Sequence, residues 1–364
     1  MVVEQNQQYE EQLGEKKLRL RNLLQPFYDD EITVFRSHPV GYRMRAEFRV
    51  WHDDDDLYHI MFDQTTKEKY KVETFPAACD LINQAMQVIL PLLKVNETLR
   101  RKLFQIDYLA TTSGELLISL LYHRQLDEDW VLAAEKLKQG LDALGAVNII
   151  GRARKQKIII HHDFVTETLS IHKNDYTFVQ IENSFTQPNA IINQCMIEWA
   201  IENLSGIKGD LLELYCGAGN FSIPLSKHFT NVLGTEISKT SVNAAQKNIQ
   251  NNNIKNLRIA RLSSEEFVEA FNQTRIFRRL DGLSLSNYNF STVLVDPPRA
   301  GIDLETIELI RQFDHILYIS CNPITLADNL KLLNNTHIVS SAALFDQFPL
   351  TPHIESGVLL KKIK

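Results

Sequence analysis

The chain has 364 residues, of which 44% are hydrophobic and 23% are charged, and its formal net charge is -6 at pH 7. These values are typical of a soluble globular protein long enough to form two domains, each with its own core. A mildly acidic chain has no overall field that attracts nucleic acid, so any such contact has to come from local basic patches.

The cysteines and histidines give no sign of a metal site. The chain has four scattered cysteines: Cys79, Cys195, Cys216 and Cys321. Without a Cys-x-x-Cys pair, they argue against zinc, iron–sulfur and disulfide frameworks. The adjacent His161 and His162 would diverge on a strand, and no third ligand follows at metal spacing. With no signal peptide and no apolar run of membrane-spanning length, the sequence predicts a cytoplasmic protein that holds no metal.

The first half of the chain alternates helices with hairpins. A charged helix is predicted over residues 6–24, a hairpin over 41–62, an apolar helix over 75–94 and a second hairpin over 104–122. A helix over 129–144 and strands at 147–152 and 157–160 follow. This pattern predicts an α+β domain that comprises residues 1–180 and includes the N-terminal helix.

Two basic stretches lie in this half. Residues 43–51 have period two, which places Arg43, Arg45, Glu47, Arg49 and Trp51 on one strand face. That face suits phosphate contact and base stacking, but a solvent face balanced by the aspartates at 53–56 explains it equally well. The basic cluster at 152–157 is either a surface loop or a second phosphate contact.

After residue 180 strands and helices alternate singly. Strands are predicted at 211–215, 231–236, 257–260, 292–296 and 315–320, with helices between them. Such alternation predicts a parallel, doubly wound, Rossmann-like sheet over residues 181–364. Ligands bind such sheets in the crevice at the carboxyl ends of the strands.

Residues 212–222 carry the features of a cofactor loop. An apolar strand runs into Gly217 and Gly219, whose backbone can approach a ligand closely, although Ser222 replaces the third glycine of a dinucleotide fingerprint. Glu236 ends the next strand, where a carboxylate accepts hydrogen bonds from ribose hydroxyls. Because no phosphate-binding lysine motif is present, S-adenosylmethionine is expected, and a nicotinamide cofactor is the alternative.

Three further stretches place reactive groups near the same crevice. Asp296 and Arg299 follow a strand in a proline-fixed turn, and Glu355 precedes an apolar strand. Cys321 ends a strand directly before a predicted helix, where the helix amides would favour its thiolate form. A buried, inert cysteine is the other interpretation of Cys321.

Together these motifs resemble the RNA uracil-5-methyltransferase family. Glu-Leu-Tyr-Cys-Gly-Ala-Gly-Asn-Phe, Asp-Pro-Pro-Arg-Ala-Gly, Ser-Cys-Asn-Pro and His-Ile-Glu occur in the family in this order and at similar spacing. The stretch Gly-Tyr-Arg-Met-Arg-Ala-Glu-Phe-Arg is similar to the tRNA branch, which modifies the T-loop uridine. Some ribosomal-RNA branches carry a four-cysteine motif and an added barrel, which this chain lacks.

The resemblance implies a class I methyltransferase domain, an RNA-binding N-terminal domain, S-adenosylmethionine as cofactor and the T-arm of tRNA as partner. We also expect a monomer. It implies a role for each matched residue: Cys321 as nucleophile and Glu355 as base; Gln187, Tyr215, Asn220, Glu236 and Asp296 as cofactor contacts; Glu47, Arg49 and Phe104 as RNA contacts. We further expect Arg299 to stabilise the thiolate or an enolate oxygen of the RNA base. The alternatives are methylation of another structured RNA such as ribosomal RNA, methylation of an exocyclic amine, and a non-catalytic RNA-binding or RNA-folding module.

Overall fold

The computed structural model describes residues 2–63 and 65–363. The α-helices are α1 Val2–Leu24, α2 Asp80–Lys94, α3 Glu97–Arg100, α4 Glu128–Gly140, α5 Ala190–Leu204, α6 Ser222–Leu225, α7 Lys239–Asn251, α8 Ser264–Phe271, α9 Leu304–Ile310 and α10 Pro323–Leu333. The strands are β1 Thr33–Phe35, β2 Arg45–Asp53, β3 Asp56–Phe62, β4 Lys69–Lys71, β5 Leu103–Ala110, β6 Glu115–Tyr122, β7 Ala146–Ala153, β8 Gln156–Ile160, β9 Phe164–Ile171, β10 Asn174–Ile181, β11 Asp210–Leu214, β12 Val232–Thr235, β13 Leu257–Ala260, β14 Phe290–Val295, β15 His315–Ser320, β16 His337–Phe345 and β17 Glu355–Lys362. Short 3-10 turns lie at Asp142–Leu144, Ser226–His228, Arg278–Leu280 and Leu285–Asn287.

The larger sheet confirms the doubly wound fold predicted for the second half. Among the described residues it has eight strands in the order β1-β16-β17-β15-β14-β11-β12-β13. The pairs from β13 across to β15 are parallel, whereas β17 runs antiparallel between β15 and β16. From β11 the chain proceeds to one side through β12 and β13, and from β14 to the other side. The crevice between β11 and β14 is therefore the topological switch point.

The central strands of this sheet are mostly apolar and are buried on both faces. In β11 every residue is buried, and in β14 residues 292–295 are buried. This is the pattern expected for a parallel strand inside an α/β layer structure. The connecting helices begin at well-formed caps, such as the reciprocal pair of hydrogen bonds between Ser263 and Glu266 at the start of α8.

The chain divides into two compact units. The doubly wound unit comprises the chain up to Pro39, Leu169–Phe178 and Ile191 onward; the hairpin unit comprises Val40–Thr168 and Val179–Ala190. This differs from a single boundary near residue 180, because α1 and β1 belong to the doubly wound unit. Leu20 and Leu24 of α1 are buried in its core, and β1 extends its sheet by pairing with β16.

A buried ion pair holds α1 in the doubly wound unit. The Lys16 ammonium donates to the Asp346 carboxylate at 2.8 Å and to the carbonyl oxygen of Phe348 at 2.8 Å. The side chains of Lys16 and Asp346 are only 4% and 1% exposed. Although α1 is rich in charged residues, Lys16 therefore lies on the packed side of the helix.

We expect Lys16→Met to lower the free energy of unfolding by about 3–5 kcal/mol, because it leaves the Asp346 carboxylate buried without its partner. Urea unfolding followed by tryptophan fluorescence measures this loss. Lys17→Met is the matched control, since the ion pair of Lys17 with Glu31, at 3.7 Å, is exposed, and its loss should change stability by less than about 0.5 kcal/mol. Equal losses in the two variants would contradict the assignment.

The hairpin unit has the α+β form predicted for the first half. Its seven strands, counted within the described residues, run in the order β4-β3-β2-β5-β6-β7-β8, and only β6 and β7 pair in parallel. Ala46, Phe48 and Val50 of β2 are buried in a core shared with α2 and α4, as their alternation predicts. The residues between them, Glu47 and Arg49, are exposed.

Candidate functional site

Cys321 lies where the sequence places it, between the end of β15 and the start of α10. Asn322 caps the helix by accepting a hydrogen bond from the Ile324 amide at 3.2 Å, and Pro323 occupies the first turn. The Asn322 side chain also donates to the backbone carbonyl of Arg299 at 3.1 Å. Asn322 therefore caps the helix and also holds the turn that contains Arg299 beside Cys321. The Cys321 side chain is exposed.

The antiparallel register of β15 and β17 brings Glu355 to Cys321. Ser320 pairs with Ser356, and the Ser356 hydroxyl donates to the Ser320 carbonyl at 3.2 Å. One residue beyond that pair, Cys321 and Glu355 are neighbours at the end of the ladder. Because β17 runs opposite to β15, its first residue lies at the carboxyl edge of the parallel strands. Glu355 is 5% exposed.

Asp296 and Glu355 form a coupled acidic pair. Burial raises the pKa of Asp296 to about 7. Burial, and then the nearby Asp296 carboxylate, raise the pKa of Glu355 well above its ordinary value. Two adjacent carboxyl groups in a poorly solvated site resist double ionisation, so near neutral pH the pair retains a proton and titrates as one system.

The environment of Cys321 opposes ionisation of its thiol. Partial removal of the thiol from water raises the pKa of Cys321 to about 11, the charges of Glu355 and Asp296 add to this effect, and Arg299 counteracts it. The expectation that the helix start would favour the thiolate is therefore wrong for the protein alone. The Ile324 amide at the helix start already donates to the side-chain oxygen of Asn322. The carboxylates of Glu355 and Asp296 outweigh the remaining effect of the helix start on the thiol.

The loop after β11 makes a tight turn with open space beside it. Tyr215, Gly217 and Gly219 have positive φ angles of 62°, 55° and 86°. A Cβ added to Gly217 would meet no atom within 4 Å, whereas one at Gly219 would meet Ile223 at 3.0 Å. Gly217 thus borders a space that a ligand can enter, and Gly219 is needed for close packing against α6.

Glu236 is held against this loop. Its carboxylate accepts hydrogen bonds from the backbone amides of Gly217 at 3.0 Å and Ser238 at 2.6 Å. These bonds fix both oxygens of the carboxylate at the carboxyl end of β12. A carboxylate oxygen can accept more than one hydrogen bond, so Glu236 retains capacity for two ribose hydroxyls.

Tyr215 and Asn220 are also fixed by neighbours within the doubly wound unit. The Tyr215 hydroxyl donates to Ser264 at 2.7 Å, at the start of α8. The amides of Asn220 and Asn193 exchange two hydrogen bonds of 2.8 Å each, which anchors the loop to α5. Each amide keeps one further donor hydrogen and acceptor lone pair. The structure thus brings Tyr215, Asn220 and Glu236 to the switch point together with Asp296.

The remaining predicted residues lie elsewhere in the chain. Gln187 lies between β10 and α5, in the hairpin unit. Glu47, Arg49 and Phe104 lie in that unit too, with the Arg49 guanidinium 5.4 Å from the centre of the Phe104 ring. Phe104 is stacked on His123 at 3.9 Å between ring centres, a partner that the sequence did not reveal.

Glu213 is a buried carboxyl group next to the cofactor loop that the sequence motifs did not identify. Glu213, in the middle of β11, is 1% exposed and accepts a hydrogen bond from the Ser222 hydroxyl at the start of α6. Burial, with a smaller effect of Asp296 and Glu236, raises the pKa of Glu213 to about 8. An acidic residue between the leucines of β11 was the available signal, because a buried carboxyl needs a specific partner.

Three carboxyl groups, those of Glu236, Asp296 and Glu355, lie at the strand ends that border the crevice, and the buried Glu213 lies in β11. Such a set of acceptors suits a ligand with hydroxyl donors and positive charge, and it disfavours a phosphate chain. Within residues 2–63 and 65–363, no group of three His, Cys, Asp or Glu side chains is arranged to hold a metal ion. No helix in the described part of the chain has both the length and the apolar character needed to cross a bilayer.

Comparison with known proteins adds three findings. A family model described as tRNA (Uracil-5-)-methyltransferase matches residues 8–363. Proteins named tRNA/tmRNA (uracil-C(5))-methyltransferase from Pasteurella multocida and Vibrio parahaemolyticus are 56% and 54% identical to the chain, over 97% and 98% of it and 97% of each relative. The crystal structure of a Pyrococcus abyssi tRNA (uracil-54, C5)-methyltransferase, solved with S-adenosyl-L-homocysteine, shares the fold with a TM-score of 0.71 at 20% identity, covering 97% of this chain and 83% of that one.

Proposed function

The chain belongs to the tRNA (uracil-5-)-methyltransferase family, and from that premise we propose that Cys321 and Glu355 carry out the methylation of a T-loop uridine. The enzyme transfers a methyl group from S-adenosylmethionine to carbon 5 of uracil in tRNA. The observation that carries the assignment of residues is the register of β15 and β17, which makes Cys321 and Glu355 neighbours beside Asp296. We further propose that the enzyme acts as a monomer in the cytoplasm.

The residues of the crevice fit S-adenosylmethionine. Gly217 borders open space, and Glu236 offers oxygens to the ribose hydroxyls. We propose that Tyr215, Asn220 and Asp296 hold the rest of the molecule, and we assign Gln187 to it from the family motif. When bound, the cofactor supplies an electrophilic methyl group and a sulfonium charge, which the ionised carboxylates of the crevice can balance.

Carbon 5 of uracil is too weak a nucleophile to accept a methyl group unaided. Addition of the Cys321 thiolate to carbon 6 forms a carbon–sulfur bond and shifts the ring electrons to an enolate with negative charge at carbon 5. Carbon 5 would then form a bond to the methyl group while the bond from that methyl group to the sulfonium sulfur breaks, which leaves S-adenosylhomocysteine. Glu355 removes the proton from carbon 5, the double bond reforms, and the bond to Cys321 breaks. We propose that Arg299 stabilises the thiolate or the enolate oxygen.

The experiment that tests this function uses a T-arm hairpin with 5-fluorouridine at the target position. Fluorine does not leave as a proton does, so the reaction stops with the methylated base bound to Cys321. We expect a complex that survives denaturation, carries one radiolabelled methyl group and requires S-adenosylmethionine. A hairpin with 5-fluorouridine in its stem is the control. Methylation of the unmodified hairpin at an exocyclic amine, without a stable complex, would contradict the proposal.

The raised pKa of Cys321 leads to a prediction about cofactor binding. In the protein alone, the rate of iodoacetamide alkylation of Cys321 should rise with pH towards a midpoint near pH 11. Saturating S-adenosylmethionine should lower that midpoint by at least about 1 pH unit, because a positive charge nearby favours the thiolate. S-adenosylhomocysteine has no sulfonium charge and is the matched control. Peptide mass spectrometry measures the alkylation at Cys321, and equal midpoints with both ligands would contradict the electrostatic explanation.

A further inference from the structure

An exposed aromatic surface lies on the hairpin unit, formed by β2, β3 and β4. Trp51 is 40% exposed and Phe62 is 52% exposed, while Tyr58 is half-buried. Single exposed apolar residues are common, but several exposed aromatic side chains on one sheet face favour a surface that binds a partner. None of these rings takes part in the reaction described above.

Strand pairing places these rings beside two lysines on the same face of the sheet. Trp51 pairs with Tyr58, and Phe62 pairs with Lys69. Lys71 is two residues beyond Lys69, and successive side chains alternate between faces, so both lysines share the face of the rings. We call Trp51, Tyr58, Phe62, Lys69 and Lys71 the ring platform.

The lysines lie over the rings. The Lys69 ammonium is 2.9 Å from the centre of the Trp51 ring, and the Lys71 ammonium is 5.4 Å from the centre of the Tyr58 ring. Lys71 also pairs with Glu73 at 3.2 Å. Among the described residues, Lys69 forms no ion pair, so its charge is balanced only by the indole face. A phosphate would be a stronger partner for that charge.

We propose that the ring platform binds unpaired nucleotides of the substrate RNA, with Lys69 moving from the Trp51 ring to a phosphate and a base stacking on the ring in its place. This inference rests on the proposed function, since it assigns a second contact to the same tRNA. Stacking requires bases that are free of pairing, and cations beside aromatic rings are the combination that binds single-stranded RNA. The acidic turn at residues 53–56 repels phosphates, so the bound strand passes along β3 and β4 instead.

The test compares Trp51→Ala and Lys69→Gln in tRNA binding, with Kd measured by fluorescence anisotropy over a range of salt concentrations. Trp51→Ala should raise Kd roughly tenfold and leave the salt dependence unchanged, because it removes stacking alone. Lys69→Gln should reduce the slope of log Kd against log salt by about 0.7, the value for one phosphate contact to a single strand. Trp51→Phe and Lys69→Arg should recover most of the affinity.

Tyr70→Ala is the matched control. Tyr70 is 49% exposed and lies between the two lysines on β4, but it pairs with Met61 and faces the other side of the sheet. The Tyr70→Ala variant should bind tRNA with the Kd and the salt dependence of the wild-type protein. Unchanged Kd and salt slope in the Trp51 and Lys69 variants would overturn the proposal, as would an equal loss in Tyr70→Ala. A failure of the proposed function can be distinguished from a failure of this proposal. In that case the wild-type protein would bind tRNA without methylating it.

Discussion

Replacing Cys321 by alanine should reduce methyl transfer to tRNA by at least about 10⁴-fold, with the binding of tRNA and of S-adenosylmethionine retained. The loss is this large because addition to carbon 6 creates the nucleophile at carbon 5, and no other group in the crevice can replace the thiol. In a serine protease, removal of the nucleophile alone costs on the order of 10⁶ in turnover. Binding should survive because Cys321 is an exposed residue outside the core, at the end of β15.

Single-turnover transfer of radiolabelled methyl groups, at saturating tRNA and cofactor, measures this effect. Cys195→Ala is the matched control, because Cys195 is a half-buried cysteine of α5 with a pKa raised mainly by burial, and it should retain wild-type turnover. A Cys321→Ala enzyme that keeps more than about 1% of the wild-type rate would show that methylation proceeds without the covalent step.

Replacing Glu355 by glutamine should trap the enzyme on its natural substrate. Glu355 is 5% exposed, so the amide can occupy nearly the same volume but cannot accept the proton from carbon 5. The charge of Glu355 also raises the pKa of Cys321, and its removal should make the thiolate easier to form. Addition and methyl transfer therefore continue while elimination stops, and turnover should fall about 10²–10⁴-fold.

The trapped species is measured on a denaturing gel as protein bound to unmodified tRNA, with one methyl group per complex. Because the wild-type enzyme eliminates, it should show little of this band. The double variant Glu355→Gln with Cys321→Ala should show none. If Glu355→Gln turned over normally, the base would have to be another group, and Asp296, its coupled neighbour, would be the first to replace.

The local parts of the site could be predicted from the sequence because each depends on neighbouring residues. An apolar run followed by Gly217 and Gly219 predicts a strand and a tight turn, and Asn322 with Pro323 predicts the start of a helix. The alternation in β2 predicts which side chains are buried. Each of these features appears in the structure. The roles assigned to Gln187 and to the RNA-contacting residues stay predictions.

Features that depend on distant segments could not be derived in this way. The insertion of β17 between β15 and β16 makes Glu355 a neighbour of Cys321, but no local pattern encodes that pairing. The pKa of Cys321 was predicted in the wrong direction for the same reason, since the opposing carboxylates come from β14 and β17. The assignment of α1 to the doubly wound unit could not be predicted either, because the periodicity of a helix does not indicate which sheet packs against its apolar side.

The ion pair of α1 has a consequence for synthesis on the ribosome. Lys16 and Asp346 are 330 positions apart in the chain. At roughly 5–20 residues per second, the side of α1 that becomes buried remains uncovered for tens of seconds before its partner strand is translated. The hairpin unit is nearly continuous in sequence and can fold during that time. Newly made α1 therefore needs protection by a chaperone or by its own solubility until the far end of the sheet emerges.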